Sequence, residues 1–220
     1  MLDYENIIFD LDGTLVDSAP GIEMALLESI KLVLPEAAVQ LPHVKAYIGP
    51  PLKEFIKQLL PDASTEVMDQ IAVKFRLIYD SNAWQRTAVY AYVIDTLACL
   101  VERGISCFLV TNKRFKPTRQ IIIKLGLLEF FKDVVTPDIN DIVFPSKETM
   151  IRFLIEKHSL NIEKTLLVGD TTSDAAAAQM CGVDFAVATY GYGEVHQFNN
   201  IRLVAFINRP DDLCYILGGG

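Results

Sequence analysis

The stretch that decides the fold is residues 5–18, ENIIFDLDGTLVDS. Its apolar run at 7–9 is short and bounded by polar residues, which is typical of a buried strand. Asp10 and Asp12 follow where this strand should end, and because they are two positions apart, both side chains can point into one pocket. Gly13 permits a tight backbone turn at the same place. The stretch therefore predicts a buried strand with a polar site at its carboxyl end.

Short apolar runs of the same kind recur along the rest of the chain, and segments with helical spacing separate most of them. We predict strands at 7–9, 106–110, 134–135, 165–168, 184–188 and 203–207. We predict helices in the intervening segments at 92–103, 117–125, 147–158 and 174–181. Strands that alternate with helices favour an α/β fold with a doubly wound, mainly parallel, Rossmann-like sheet.

One long stretch breaks this alternation. From residue 17 to residue 83 the apolar side chains follow helical spacing, and the sequence contains no convincing strand pattern. The sequence therefore predicts an all-helical unit inserted after the first strand. We expect the chain to divide into a helical domain, 17–85, and an α/β core, 1–16 and 86–220.

The composition limits the classes of protein to which the chain can belong. Its 220 residues are 51% hydrophobic and 22% charged, which predicts a packed globular chain. The net charge of −8 lacks the basic footprint of a nucleic-acid binder. The sequence contains no membrane-spanning run and no visible signal peptide, and its four cysteines lack metal-binding spacing. We expect a cytoplasmic monomer or small homo-oligomer that binds neither nucleic acid nor membrane.

Three polar clusters fall at the predicted carboxyl ends of strands. They are Asp10 with Asp12, the run 111–113 and the run 169–174. Ligands of open α/β sheets bind at that edge, so the clusters predict one common site. Carboxylates crowded together repel each other, and a divalent cation removes that repulsion. With Asp170, the first two aspartates offer the oxygen ligands that suit Mg²⁺.

These clusters resemble the signature motifs of the haloacid dehalogenase superfamily, on its phosphatase side. Residues 9–18 resemble the first motif, 110–113 the second and 169–174 the fourth. The helical insertion is similar in position and size to the helical cap of that family. Residues 48–52 resemble a cap loop of its phosphoglycolate-phosphatase-like members. The resemblance covers essentially the whole chain.

The resemblance implies a role for each aspartate. Asp10 would attack phosphorus and form an aspartyl-phosphate, while Asp12 would protonate the leaving alcohol and later deprotonate water. Mg²⁺ would be bound by Asp10, by the backbone carbonyl of Asp12 and by Asp170. Asp174 would lie close to the metal, either as a ligand or through a bound water.

The resemblance also implies a set of phosphate-binding groups. Thr111, Asn112, the turn at Gly13 and a lysine of the third motif would hold the phosphoryl group. Many relatives have Lys-Pro in that motif, whereas this chain has the sequence FPSKE. We assign the role to Lys147, and Lys113 is the alternative.

The predicted function is Mg²⁺-dependent hydrolysis of a small phosphorylated metabolite, with phosphoglycolate as the nearest named substrate by resemblance. Other activities stay open at this point: a phosphomutase of the β-phosphoglucomutase type, a pyrophosphatase or nucleotidase, and phosphonate cleavage through an imine on Lys45 or Lys53. A non-catalytic binding protein with the same fold is a further alternative. Such a protein should have lost Asp10, Asp12 or Asp170, and all three are present.

Overall fold

The computed structural model describes residues 3–36, 44–139, 142–198 and 201–217. Over these ranges the strands are β1 (Asn6–Phe9), β2 (Val16–Asp17), β3 (Ala88–Val89), β4 (Ser106–Val110), β5 (Phe131–Val135), β6 (Thr165–Gly169), β7 (Asp184–Ala188) and β8 (Ala205–Ile207). The helices are α1 (Ala19–Val33), α2 (Leu52–Leu59), α3 (Thr65–Ser81), α4 (Val93–Glu102), α5 (Phe115–Lys124), α6 (Lys147–His158), α7 (Thr172–Cys181) and α8 (Asp212–Ile216).

A six-stranded sheet forms the centre of the α/β core. Its strand order is β5-β4-β1-β6-β7-β8, and every neighbouring pair is parallel. Phe9, the last residue of β1, lies opposite Leu109 of β4 and Val168 of β6. The residues that follow these three strands therefore meet at one edge of the sheet. The predicted doubly wound, mainly parallel α/β fold is confirmed.

The central strand β1 contributes side chains to two hydrophobic layers, one on each face of the sheet. Ile7 and Phe9 pack on one face with residues of α4, α5 and α8. Ile8 packs on the opposite face with residues of α6 and α7. Successive side chains of a strand point to opposite faces, so an unbroken apolar strand is stable only when both faces are covered. The carboxyl end of β1 is consequently held from both sides.

The helical insertion has a hydrophobic cluster of its own. Leu26 and Ile30 of α1, Ile56 of α2 and Ile71 of α3 are completely or almost completely buried within it. Helix α3 begins after Ser64, whose hydroxyl accepts the backbone N–H of Val67 at 3.3 Å. This contact satisfies one of the amides that the first turn of a helix leaves without a partner. The insertion thus forms a packed helical unit, which agrees with the helical spacing of its sequence.

The two connections between the core and the insertion form a small sheet that was not predicted. Strand β2 pairs antiparallel with β3, so that Val16 lies opposite Val89 and Asp17 opposite Ala88. Sequence analysis predicted neither β2 nor β3, because two residues are too few to show an alternating pattern. The two connections therefore run side by side.

Several predicted boundaries differ from the structure by one to three residues, and two of these differences have local reasons. Strand β5 begins at Phe131 rather than at 134, because Lys132 and Asp133 interrupt the apolar run. Helix α5 begins at Phe115 rather than at Pro117. A proline in the first turn of a helix lacks only an N–H that would have no helical partner. Among the residues that the structure describes, no helix is both long and apolar enough to cross a membrane.

Candidate active site

The three predicted polar clusters lie together at the carboxyl edge of the sheet. Asp10 follows β1, Thr111 follows β4 and Asp170 follows β6. The backbone N–H of Asp10 donates to the carbonyl of Val168 at 2.9 Å, and that of Thr111 donates to the carbonyl of Val135 at 3.2 Å. Both residues still belong to the hydrogen-bond ladder of the sheet, which fixes the position of their backbone.

Three carboxylates form a compact acidic cluster at this edge. Asp10, Asp170 and Asp174 each place one oxygen within 4.8 Å of the others, and all three residues are buried. Charged oxygen donors at this spacing suit a hard cation such as Mg²⁺. The carboxylate of Asp12 lies outside the cluster and contacts Lys113 instead. The metal contact predicted for Asp12 is that of its backbone carbonyl, and it stays a prediction.

Two backbone segments pack closely against Asp170 and hold it in the acidic cluster. The hydroxyl of Thr14 donates to its Oδ1 at 3.2 Å, and the N–H of Tyr192 donates to its Oδ2 at 2.7 Å. Gly13 has a φ of +86°, and a Cβ there would lie 2.0 Å from Asp170 Oδ2. A Cβ on Gly193 would lie 1.9 Å from the carbonyl oxygen of Asp170. No residue larger than glycine fits at either position without displacing this aspartate.

Asp174 is positioned by the start of helix α7. The hydroxyl of Thr171 accepts the N–H of Asp174, and Asp174 Oδ2 accepts the N–H of Thr171 at 3.0 Å and its hydroxyl at 2.6 Å. The first turn of a helix also favours a negative charge. With Oδ2 occupied in this way, Oδ1 of Asp174 faces Lys147.

Lys147 is the cation of the cluster. It is the first residue of α6, follows the capping residue Ser146 and is only 6% exposed. Its Nζ donates to Asp10 Oδ1 and to Asp174 Oδ1. Of the two lysines considered for the third motif, the structure places Lys147 against Asp10 and Lys113 against Asp12.

Burial strongly affects ionisation in the cluster. It raises the pKa of Asp10 to about 7, although Lys147 opposes the shift. Burial, together with the charges of Asp174 and Asp10, also raises the pKa of Asp170. Burial lowers the pKa of Lys147, but its two carboxylate partners raise the pKa by more than burial lowers it. The pKa of Lys147 therefore lies above its ordinary value. One ammonium does not balance three carboxylates, so a divalent cation would favour their ionised forms.

Lys113 forms a second buried ion pair, which sequence reasoning missed. Its Nζ lies 3.0 Å from Asp12 Oδ2 and donates to the hydroxyl of Tyr79 at 3.0 Å. The hydroxyl of Ser18 donates to Asp12 Oδ1 at 2.5 Å. These contacts fix the orientation of the Asp12 carboxylate. The lysine was visible in the second motif, but nothing in the sequence indicated that Tyr79 of α3 would reach it.

The other predicted phosphate-binding residues have different surroundings. Thr111 Oγ1 accepts the N–H of Lys113 at 3.2 Å, which leaves its hydroxyl hydrogen free to donate. The side-chain amide of Asn112 donates to the carbonyl of Gly49 at 3.0 Å and ties this motif to the insertion. The N–H of Gly13 donates to the carbonyl of Val16 at 2.9 Å. Gly13 therefore shapes the turn, while Thr111 and Asn112 line the cavity described next.

A cavity of about 410 Å³ opens onto the site between the core and the insertion. The core lines it with Asp10, Asp12, Thr111, Asn112 and Lys113, and the insertion lines it with Ile22, Ile48, Phe55, Phe75, Arg76 and Tyr79, among others. This volume is typical of a site for a small organic ligand. The core wall is mainly polar, and the insertion wall is mainly apolar with one arginine.

The two lysines considered for imine chemistry lie elsewhere. Lys45 pairs with Asp17 at 3.1 Å and Lys53 pairs with Asp69 at 2.6 Å. Neither belongs to the lining of the cavity. Their positions give no support to phosphonate cleavage at this site.

Known proteins resemble this chain in sequence and in fold. The family model described as haloacid dehalogenase-like hydrolase matches residues 7–188. The phosphoglycolate phosphatase of Vibrio cholerae is 33% identical over 196 residues, which cover 84% of each chain. That of Aquifex aeolicus is 32% identical over 213 residues, covering 96% of this chain and 95% of the relative. A haloacid dehalogenase-like hydrolase of Streptococcus pneumoniae has a TM-score of 0.87 at 24% identity, covering 98% of this chain and 99% of that one.

The family match and the similar phosphatases identify an enzyme that hydrolyses phosphoric monoesters. The chain belongs to the haloacid dehalogenase-like hydrolase family, whose model extends from β1 through β7 and includes all three clusters at the strand ends. The predicted family and the prediction of a phosphatase are confirmed.

Proposed function

We propose that the protein is a Mg²⁺-dependent phosphatase that hydrolyses a small phosphate monoester, with phosphoglycolate as the first candidate. The observation that carries the proposal is the position of Asp10. Its carboxylate faces the cavity and shares the buried Lys147 with Asp174. A carboxylate placed in this way combines access to a ligand with a nearby positive charge for an incoming phosphate.

Asp10 is the proposed nucleophile. One of its oxygens attacks phosphorus, and the new O–P bond forms as the bond from phosphorus to the leaving oxygen breaks. The product of this step is an aspartyl-phosphate on Asp10. Lys147 contributes positive charge beside the transferring group, whose negative charge must be compensated throughout. Thr111 and Asn112, which line the same cavity, donate hydrogen bonds to phosphoryl oxygens.

Asp12 is the proposed acid and base. It gives its proton to the leaving oxygen, so the alcohol departs neutral. As a carboxylate, it then takes a proton from the water that attacks phosphorus and breaks the bond to Asp10. Both aspartates return to their starting states. Asp12 lines the cavity, and Ser18 and Lys113 hold its carboxylate, which supports this role.

The proposed metal ligands are Asp10, Asp170, the backbone carbonyl of Asp12, and Asp174 either directly or through water. The donor set fits Mg²⁺ because it consists of hard oxygen atoms in a compact, buried cluster. The cation would supply positive charge that attracts the phosphate and stabilises the transition state. The protein's own task is to hold the three carboxylates together, which Thr14, Thr171 and the turn at Gly13 accomplish.

The choice of phosphoglycolate rests on the relatives and on the charge of the cavity wall. Similar enzymes of Vibrio cholerae and Aquifex aeolicus are named phosphoglycolate phosphatases. Phosphoglycolate carries a carboxylate on its leaving group. Lys113 lies beside the proposed acid Asp12, and Arg76 lines the opposite wall, so both cations can attract such a group.

We also propose that the helical domain 17–85 acts as a cap that closes over the site on its two connections, near 16–20 and 82–87. Closure would exclude bulk water while the aspartyl-phosphate forms. The separate hydrophobic cluster of the insertion supports its movement as one unit. Small-angle scattering should report a smaller radius with Mg²⁺ and a phosphate analogue than without them. Identical profiles would contradict closure.

We also propose that the protein acts in the cytoplasm as a monomer or small homo-oligomer. All four cysteines are free thiols, and two of them, Cys107 and Cys181, are buried. Free thiols are typical of a reducing compartment.

The experiment measures phosphate release from phosphoglycolate, p-nitrophenyl phosphate, pyrophosphate, nucleoside monophosphates and sugar phosphates. Wild type and Asp10→Asn are compared with Mg²⁺ and with EDTA. We expect release from the wild type that requires Mg²⁺, with phosphoglycolate as the best substrate, and no release from the variant. No release from any compound would contradict the proposal, and a requirement for a bisphosphate activator would indicate a mutase.

A further inference from the structure

The segment 190–193, YGYG, follows β7 closely, and the proposed function gives it no role. Its second tyrosine, Tyr192, is only 6% exposed and belongs to the hydrophobic cluster of the insertion although it is a core residue. Its backbone and its side chain contact different parts of the proposed machinery.

The backbone of this segment holds Asp170. The N–H of Tyr192 donates to Asp170 Oδ2 at 2.7 Å. A Cβ on Gly191 would lie 2.3 Å from the Cβ of Asp170, so the backbone at Gly191 packs directly against Asp170. Any displacement of Tyr192 therefore changes the surroundings of Asp170.

The side chain of Tyr192 holds the start of the insertion. Its hydroxyl accepts the N–H of Ser18 at 2.8 Å and that of Ala19 at 3.1 Å, and it donates to Asp17 Oδ1 at 3.0 Å. The first amides of a helix need acceptors from outside the helix. Tyr192 supplies this acceptor for α1, although it is distant in sequence.

The usual capping residue is occupied elsewhere. Ser18 stands at the N-cap of α1, where a serine hydroxyl normally accepts a backbone N–H, but it makes no such bond. Its hydroxyl donates instead to Asp12 Oδ1 at 2.5 Å. Tyr192 therefore caps α1 together with Asp17, whose Oδ1 also accepts the N–H of Ala19 at 3.1 Å. The hydroxyl of Ser18 is left to orient the proposed acid.

These contacts form one continuous chain from Asp170 through Tyr192 and Ser18 to Asp12, with lengths of 2.7, 2.8 and 2.5 Å. We propose that Tyr192 is a positioning residue that couples Asp170 to the first connection of the insertion and to the orientation of Asp12. This inference rests on the proposed function for the roles of Asp12 and Asp170. The coupling itself is a property of the chain and is measurable without turnover.

The direct test is to measure hydrogen exchange at single backbone amides of the metal-free protein, with NMR as the detection method. Four forms are compared: wild type, Asp170→Ala, Tyr192→Phe and the double variant. Losing one hydrogen bond costs about 1 kcal/mol, so Tyr192→Phe should speed exchange of the Ser18 amide about fivefold to tenfold. Asp170→Ala should speed it as well, and the double variant should exchange no faster than Tyr192→Phe.

Tyr190→Phe is the matched control for this measurement. It removes a hydroxyl from the same segment, but that hydroxyl donates to the carbonyl of Thr14 at 2.9 Å. Exchange at Ser18 should not change in this variant, and exchange at Val67, the capped amide of α3, should not change in any of them. The coupling is overturned if Asp170→Ala leaves exchange at Ser18 unchanged, or if the two effects multiply in the double variant.

A kinetic test asks whether Tyr192 acts through Asp12. p-Nitrophenolate departs as an anion and needs no proton, whereas glycolate leaving from phosphoglycolate does. Tyr192→Phe should slow the first chemical step, measured as pre-steady-state release of the leaving group, about tenfold for phosphoglycolate and by less than about twofold for p-nitrophenyl phosphate. Equal losses in this step on both substrates would indicate a merely structural role. If the wild type hydrolyses neither compound, the proposed function fails, and the exchange measurement still decides the coupling.

Discussion

The two walls of the cavity are built in different ways. On the core wall, Asp10 is buried at a strand end and contacts Lys147, which is buried behind it at a helix start, so the backbone fixes both residues. On the insertion wall, Phe55 is buried, Phe75 is partly buried and Arg76 is exposed, and all three project from helix surfaces. One wall holds fixed charges, and the other offers an apolar surface with an adaptable cation.

We expect the core wall to determine the rate of the chemical step and the insertion wall to determine which substrate is preferred. Changes on the core wall should lower kcat for every substrate, because they remove charge that acts on the phosphoryl group itself. Changes on the insertion wall should alter the ranking of substrates, because they act on the leaving group. The variants below test that division, in order of decreasing effect.

Lys147→Ala should have the largest effect. It removes the only ammonium that contacts Asp10 and Asp174 among the described residues, and so leaves both carboxylates uncompensated. We expect kcat to fall by about 100-fold to 1,000-fold on all substrates, as for other preorganised transition-state contacts. Steady-state kinetics with saturating Mg²⁺ measure the loss. Lys164→Ala, which removes a surface lysine paired with Asp3, should have no effect. A loss confined to KM would contradict the account.

Asp12→Asn should have a large effect that depends on the leaving group. We expect a loss of about 100-fold for phosphoglycolate, which is the lower end of what general acid–base catalysis contributes. The loss for the first step with p-nitrophenyl phosphate should be far smaller, because that leaving group needs no proton. Pre-steady-state release of p-nitrophenol isolates this step from the later attack of water. Equal losses in that step for both substrates would mean that Asp12 does not protonate the leaving group.

Arg76→Ala should have the smallest effect and the most selective one. We expect kcat/KM for phosphoglycolate to fall about fivefold, because an exposed charge contributes on the order of 1 kcal/mol. For 2-hydroxyethyl phosphate, which replaces the carboxylate with a neutral hydroxymethyl group, the change should stay within about twofold. Lys74→Ala removes an exposed charge from the same helix outside the cavity and serves as the control. Equal losses on both substrates would mean that Arg76 does not contribute to substrate selection.

Sequence reasoning predicted the core wall well because that wall follows from local rules. The apolar run before Asp10 predicted a buried strand, and the parallel strands then brought Thr111 and Asp170 to the same edge. Lys147 was selected by its position in the chain, and helix α6 begins at that residue. Each of these inferences needed only strand ends, helix starts and the direction of the sheet.

The contacts of Asp12 could not be predicted in the same way. Lys113 reaches both Asp12 and Tyr79, and Tyr192 reaches Ser18, although these residues are far apart in the sequence. Such pairs depend on how the insertion packs over the sheet, and hydrophobic periodicity does not encode that packing. Strands β2 and β3 were missed for a related reason, because two-residue strands have no pattern of their own.

The central claim is that Asp10 carries the phosphoryl group during turnover. The most direct measurement is acid quenching during the first turnover with saturating phosphoglycolate and Mg²⁺, followed by peptide mass spectrometry. The account predicts the added mass of one phosphoryl group on Asp10, its removal by hydroxylamine and its absence in Asp10→Asn. Phosphate release without such a label on rapid quenching, or with the label on another residue, would contradict the account.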